Sequence, residues 1–289
     1  MFKSPLEILP PPGKSQSQIS LHKIRRVASD QLTGLGCWVA IPTTPDPSLP
    51  PLVVVHGVYR DVEGMLKVLT SRFSHGRRTV IAPVFDETNW RGYQRVLAER
   101  RADLALLSLL KSINLPGVAD ISSFDLLGYS GGAQFAHRFA LLYPHLINRL
   151  ALCSAGWYTF PDNSPYPYGL ARPEKKLQGF TPLVRSNLSA FLRLPIEVFV
   201  GERDTDQDQN LRRGKAIDRQ QGDNRVERAT NWVKALNEAV CAQGLTSQVN
   251  LTVMDGCGHD WRECVYLGGL VGLWLPREAP EHLAPKMTQ

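Results

Sequence analysis

The chain is 289 residues long, with 43% hydrophobic and 21% charged residues, proportions that exclude an intrinsically disordered polymer and fit one large globular domain. Lys and Arg number 33 against 27 Asp and Glu, a formal charge of +6. The basic residues are scattered as short pairs (Arg25-Arg26, Arg77-Arg78, Lys175-Lys176, Arg212-Arg213) and are not gathered with aromatics on one element, which argues against nucleic acid as a partner.

In chain order, residues 1–30 contain Pro10-Pro11-Pro12 and polar residues where a secretory signal would need an apolar run. They read as a flexible amino-terminal arm. A first strand is expected over residues 37–41, followed by a proline-rich loop. Further short β-rich runs cover residues 52–56, 79–84, 124–127, 150–153, 196–200 and 249–253. Between them lie stretches with helical spacing, including Tyr93, Val96, Leu97, Leu104, Leu107 and Leu110, then Val226, Ala229, Val233, Leu236 and Val240. This alternation predicts a mostly parallel central sheet with helices on both faces, spanning residues 31–278. Five prolines interrupt residues 157–193, which read as a loop-rich, cap-like insertion after the strand expected at residues 150–153. Residues 279–289 form a carboxy-terminal tail. No run of about 18 apolar residues occurs, so no membrane span is expected. Cysteines 37, 153, 241, 257 and 264 match neither a disulfide framework nor a zinc-ligand spacing, which points to a reducing cytoplasm. No metal-ligand cluster, phosphate loop or dinucleotide fingerprint is present, so no cofactor is expected. Oligomeric state is not legible.

The chemistry begins at Gly128-Tyr129-Ser130-Gly131-Gly132. This G-x-S-x-G pattern lies between an apolar strand and a helix with apolar positions Phe135, Ala136, Phe139 and Tyr143, the context in which a serine is held on a sharp turn as a nucleophile. Small neighbours let strand and helix backbones approach while the hydroxyl stays accessible. A serine hydroxyl needs a base to take its proton. Of the seven histidines, His259, in Gly256-Cys257-Gly258-His259-Asp260-Trp261, follows the last strand on a glycine-rich loop and is the candidate. His22 lies in the arm, His56 shapes the loop after residues 52–55, and His75, His137, His145 and His282 read as structural. The third member must orient the imidazole and stabilise its charged form. The chain order Ser, Asp, His points to Gly201-Glu202-Arg203-Asp204, with Asp204 preferred and Asp206, Asp208 and Glu202 competing. Asp260 is expected to cap the following helix. Oxyanion donors are expected from the backbone N–H groups of Gly131 and Val58. Tyr59, Tyr129 and Trp157 are expected to wall a substrate pocket.

These segments resemble the α/β-hydrolase superfamily, and within it the bacterial poly(3-hydroxybutyrate) depolymerase-like esterases. The similarity covers about residues 52–274. Its marks are His56-Gly57-Val58-Tyr59-Arg60, Ala82-Pro83, Gly128 to Phe135, Gly156-Trp157-Tyr158-Thr159, Gly201-Glu202-Arg203-Asp204 and Gly258-His259-Asp260. The resemblance implies the α/β-hydrolase fold, a triad of Ser130, Asp204 and His259, and hydrolysis of a carboxylic ester through an acyl-enzyme. The expected partner is a small or oligomeric, hydroxyalkanoate-like ester. An amidase, peptidase or lactonase would use the same triad, and a non-catalytic binding protein could keep the fold.

Overall fold

The runs of Val, Leu and Ile assemble into an eight-stranded sheet in the computed structural model, which describes residues 21–29, 32–96, 100–115, 121–171 and 180–275. The strands are β1 (His22–Val27), β2 (Gly36–Pro42), β3 (Leu52–Val55), β4 (Val80–Val84), β5 (Phe124–Tyr129), β6 (Ile147–Cys153), β7 (Ile196–Gly201) and β8 (Val249–Met254). They lie in the order β1-β2-β4-β3-β5-β6-β7-β8. β2 runs antiparallel to both β1 and β4, and the pairings from β4 to β8 are parallel. The connecting helices are α1 (Val62–Thr70), α2 (Glu87–Trp90), α3 (Ala102–Ser112), α4 (Gly131–Leu142), α5 (Phe180–Leu192), α6 (Lys215–Gln221), α7 (Arg225–Ala242), α8 (Trp261–Tyr266) and α9 (Leu270–Trp274).

Successive side chains of a strand point to opposite faces, so a strand buried on both sides must be apolar throughout. β3 shows this: Val53 and Val55 join a core with α3, α4, α5 and α7, whereas Leu52 and Val54 join a second core with α1, α8 and α9. On the first face Phe135, Phe139 and Trp232 fill the space over the sheet; on the second, Met65, Leu66, Trp261 and Trp274 do so. Among the described residues no helix is long and apolar enough to cross a membrane.

Every strand expected from the sequence is present to within a few residues. Two expectations need correction. Residues 22–27, assigned to the arm, form the edge strand β1, whose Lys23, Arg25 and Arg26 are wholly or partly solvent-accessible. Charge on an edge strand discourages pairing with other chains and removes the apolar signature of a buried one. Of the rest of the arm, residues 1–20 and 30 lie outside the described residues, as does the tail. The insertion at residues 157–193 also contains a long element, α5. Pro182 sits in its first turn, where a missing N–H breaks no intrahelical bond, so this proline opens a helix instead of interrupting one. Residues 172–179 lie outside the described residues.

Candidate active site

At the carboxyl edge of the sheet, β5 ends at Tyr129 and α4 begins at Gly131, leaving Ser130 between them at φ 53° and ψ −113°. A non-glycine residue at positive φ is strained and persists only where its surroundings over-determine it. Two glycines supply that constraint. A Cβ on Gly128 would fall 2.3 Å from the Gly132 carbonyl oxygen, and one on Gly132 would fall 2.0 Å from that of Val55. Strand and helix therefore close to a distance that only glycine permits, and the turn between them has no slack. The Ser130 N–H donates to the Cys153 carbonyl at 2.8 Å, tying the turn to β6.

Two loops, one after β7 and one after β8, meet this serine. Gly201, at the end of β7, packs so tightly on the histidine loop that a Cβ would lie 2.4 Å from the Cys257 carbonyl oxygen. The Arg203 N–H donates to that same carbonyl at 2.8 Å. The outcome is one continuous chain of contacts. His259 Nδ1 donates to Asp204 Oδ2 at 2.8 Å, which leaves the Nε2 lone pair to accept the Ser130 hydroxyl at 3.1 Å. Asp204 is 1% exposed and Ser130 8%.

The competing carboxylates are placed elsewhere. Asp208 pairs with Arg225 at 2.8 Å, Asp206 points to solvent, and Glu202 accepts from the Gly256 N–H at 3.0 Å. Asp260 caps α8, accepting from the N–H groups of Arg262 and Glu263.

The loop after β3 approaches Ser130 from the other side. A Cβ on Gly131 would lie 3.5 Å from the Val58 nitrogen, so the two expected oxyanion donors are close neighbours. Among the described residues neither N–H has an acceptor in the protein. The Gly57–Val58 peptide is held from behind: the Gly57 carbonyl accepts from His56 Nδ1 at 2.7 Å and from the Arg60 N–H at 3.1 Å. His56 Nε2 accepts the Phe85 N–H at 3.0 Å, so its tautomer is set with the proton on Nδ1. Arg60 donates to the carbonyls of Val58 and Phe85 and pairs with Glu87. Tyr93 Oη donates to the His56 carbonyl at 2.6 Å. With both ring nitrogens committed and 1% exposure, His56 is part of the loop's frame.

A cleft of about 240 Å³ opens beside His259, lined among others by Tyr59, Met65, Val68, Tyr129 and Trp261. Tyr129 stacks on the imidazole of His259 with ring centroids 5.5 Å apart. Tyr59 is 77% exposed and its hydroxyl accepts from Asn210 Nδ2 at 2.9 Å. Trp157, expected in the pocket wall, does not line this cleft: it is 4% exposed, with Arg138 4.1 Å from its ring centroid and Tyr168 against it. The insertion folds back over Trp157, and its ring is used to dock that segment. A larger groove of about 890 Å³ lies at the opposite edge of the sheet among Pro45, Pro47, Pro50 and Pro51, and among the described residues no histidine lines it.

Three histidines carry a pH signature for the fold. Burial pushes His56 down to about 4, and burial likewise lowers His22 and His137, the latter far down. Each is neutral when folded and takes up a proton near pH 6.5 when unfolded. A depressed folded value makes the unfolded chain the better proton binder below that pH, so stability is complete above it and is lost as pH falls. Urea unfolding midpoints should therefore drop between pH 7 and pH 5, with up to three protons taken up on unfolding; a midpoint constant across that range would contradict the assignment.

No protein-family model matches the chain, and no curated protein matches its sequence. Solved structures do match. A poly(3-hydroxybutyrate) depolymerase from Bordetella parapertussis superposes with a TM-score of 0.73 at 24% identity, covering 91% of this chain and 94% of its own. Poly(aspartic acid) hydrolase-1 from Sphingomonas sp. KT-1 gives 0.69 at 20% identity, covering 86% and 98%. An S-formylglutathione hydrolase from Agrobacterium tumefaciens gives 0.54 at 16% identity, covering 92% and 99%. These likenesses, with the strand order and the turn at Ser130, identify the architecture: this chain has the α/β-hydrolase fold.

Proposed function

We propose that this protein is a serine hydrolase that cleaves a carboxylic ester through an acyl-enzyme on Ser130. The observation that carries the reading is the single line of contacts from Asp204 through His259 to a serine held at positive φ. In the first step His259 Nε2 takes the Ser130 proton as Oγ attacks the carbonyl carbon. The oxyanion is received by the N–H groups of Val58 and Gly131, and Asp204 stabilises the imidazolium. Collapse expels the alcohol, protonated by His259. Water, activated by the same imidazole, then hydrolyses the acyl-enzyme.

The cleft favours a small substrate. It flanks His259, Ser130 itself not being among its lining, and aromatic rings from Tyr59, Tyr129 and Trp261 bound it as rigid walls that leave limited room for a long acyl chain. On p-nitrophenyl acetate, butyrate, octanoate and palmitate, kcat/KM should peak at the acetate or butyrate and fall steeply beyond. A maximum at octanoate or longer would overturn this reading.

A second reading, an amidase or peptidase with the same residues, is favoured by the likeness to a poly(aspartic acid) hydrolase, a protein named for a polyamide substrate. Two experiments test both. A fluorophosphonate probe should label Ser130, identified by peptide mass spectrometry. Matched p-nitrophenyl esters and p-nitroanilides then separate the activities: the ester reading expects turnover of the former with little of the latter. Absence of labelling in folded protein would sink the hydrolase reading altogether.

A further inference from the structure

Resting on that reading, we propose that Arg225 is a positioning residue for the triad, holding the Asp204 carboxylate and, with Asp208, setting the charge that His259 experiences. Arg225 is the first residue of α7 and is 1% exposed. Its guanidinium reaches Asp204 Oδ1 at 3.3 Å and Asp208 Oδ2 at 2.8 Å, while Asp204 Oδ2 is left for His259.

Nothing local favours an arginine there. A cation at a helix N-terminus opposes the helix dipole, which prefers negative charge at that end. Burying a guanidinium is costly, and here the Nε of Arg225 has no hydrogen-bond partner among the described residues. An arginine in this position is compensated only by the two carboxylates it binds. Because one of these belongs to the triad, the burial serves the site. The fork fixes the rotation of the Asp204 carboxylate about its own axis and, through Asp208, pins the loop that carries both acids.

The electrostatic consequence has a definite sign. A cation beside Asp204 offsets part of the attraction that this carboxylate exerts on imidazolium, so it favours the neutral, base-competent form of His259. Asp208 in turn neutralises part of Arg225 and acts in the opposite sense; the charges of Asp208 and His259 do interact. The other titratable groups facing the pair are Tyr129, Cys153, Tyr158, Cys264 and Asp260. Burial holds the two tyrosines protonated; a hydrogen bond donated by the Cys264 thiol to Cys153, then burial, does so for Cys264. Arg60, Asp61 and Arg262 line the same cleft as the imidazole. Of all these groups Arg225 alone touches both the triad acid and a second acid.

The test is an NMR titration of the His259 side chain in the full chain, which needs no turnover. Arg225→Met should raise its midpoint by about half a pH unit to one unit, whereas Asp208→Asn should lower it by a few tenths. In ester kinetics Arg225→Met should reduce kcat by about 10- to 100-fold with KM little changed, as expected for misplacement of a catalytic group. Arg225→Lys should restore the titration midpoint but not kcat, since a point charge lacks the two-pronged fork. If Arg225→Met does not fold, Asp208→Asn, whose side chain is 34% exposed, carries the test. Midpoints within about 0.2 unit of wild type in both variants, or shifts in the same direction, would overturn the proposal. Opposite shifts in a protein that turns over no ester or amide would support the charge coupling and sink the hydrolase reading.

Discussion

Replacing Ser130 with alanine is expected to abolish turnover, with kcat falling by about 10⁶-fold, on the precedent of the serine and histidine of a bacterial serine protease. The substitution removes one oxygen and little else. Alanine at φ 53° bears the same strain as serine, because both carry a Cβ and nothing larger that could clash. The Ser130 N–H bond to the Cys153 carbonyl is a backbone bond and survives. His259 loses the hydroxyl at 3.1 Å but remains 20% exposed, so water can take the vacated place. Thermal and urea unfolding should therefore match wild type while activity and fluorophosphonate labelling vanish. Residual turnover well above background in folded Ser130→Ala protein would mean that another nucleophile does the work. His259→Ala should be almost as damaging, and the double mutant no slower than either single one, because triad members act as a unit.

Asp204→Asn is expected to lower kcat by about 10⁴-fold, the precedent for this change in a serine protease. The carboxylate at 2.8 Å holds the Nδ1 proton; an amide can turn its NH₂ toward Nδ1 instead. That would place the imidazole proton on Nε2, facing Ser130, in the tautomer that cannot accept the hydroxyl proton. A second effect follows in this protein. Arg225, 1% exposed, loses one of its two anionic partners, and removing one member of a buried ion pair costs about 3–5 kcal/mol at the upper end. Asp208 remains at 2.8 Å, so the loss of stability should fall below that range. Asp206→Asn and Asp208→Asn provide the comparison: neither carboxylate touches the imidazole, and each should retain activity within about tenfold of wild type. A loss of several orders of magnitude in either of these, with Asp204→Asn active, would transfer the acid's role.

Several parts of this molecule could be read without coordinates because their causes are local. The strands from β2 to β7 announce themselves as apolar runs, since the middle of a mostly parallel sheet is covered on both faces; β8, at the edge, is buried only at Val249 and Met254. The turn at Ser130 is legible because its glycines must lie at fixed offsets from the serine for strand and helix to touch. His259 stands out because its loop follows the final strand. The cap by Asp260 is likewise local: it involves residues two and three positions away.

What the amino-acid sequence determined by itself, then, is the alternation of strands and helices, the serine turn and the histidine loop, each governed by residues within one turn or one strand. Tertiary structure alone decided the rest. Asp204 is preferred in a linear reading but Asp206 and Asp208 compete with it, and the packing of the β7 loop on the Cys257 carbonyl is what puts Asp204 against an imidazole 55 positions away. Trp157 read as a pocket wall until Arg138 and Tyr168 closed over it. β1 has no apolar run, and its place at the edge depends on β2 offering a free side. Arg225, at the start of a helix, looks like a surface charge until the fold buries it between two aspartates. In each case the deciding quantity is a distance or a desolvation between segments remote along the chain, which no local pattern of residues encodes.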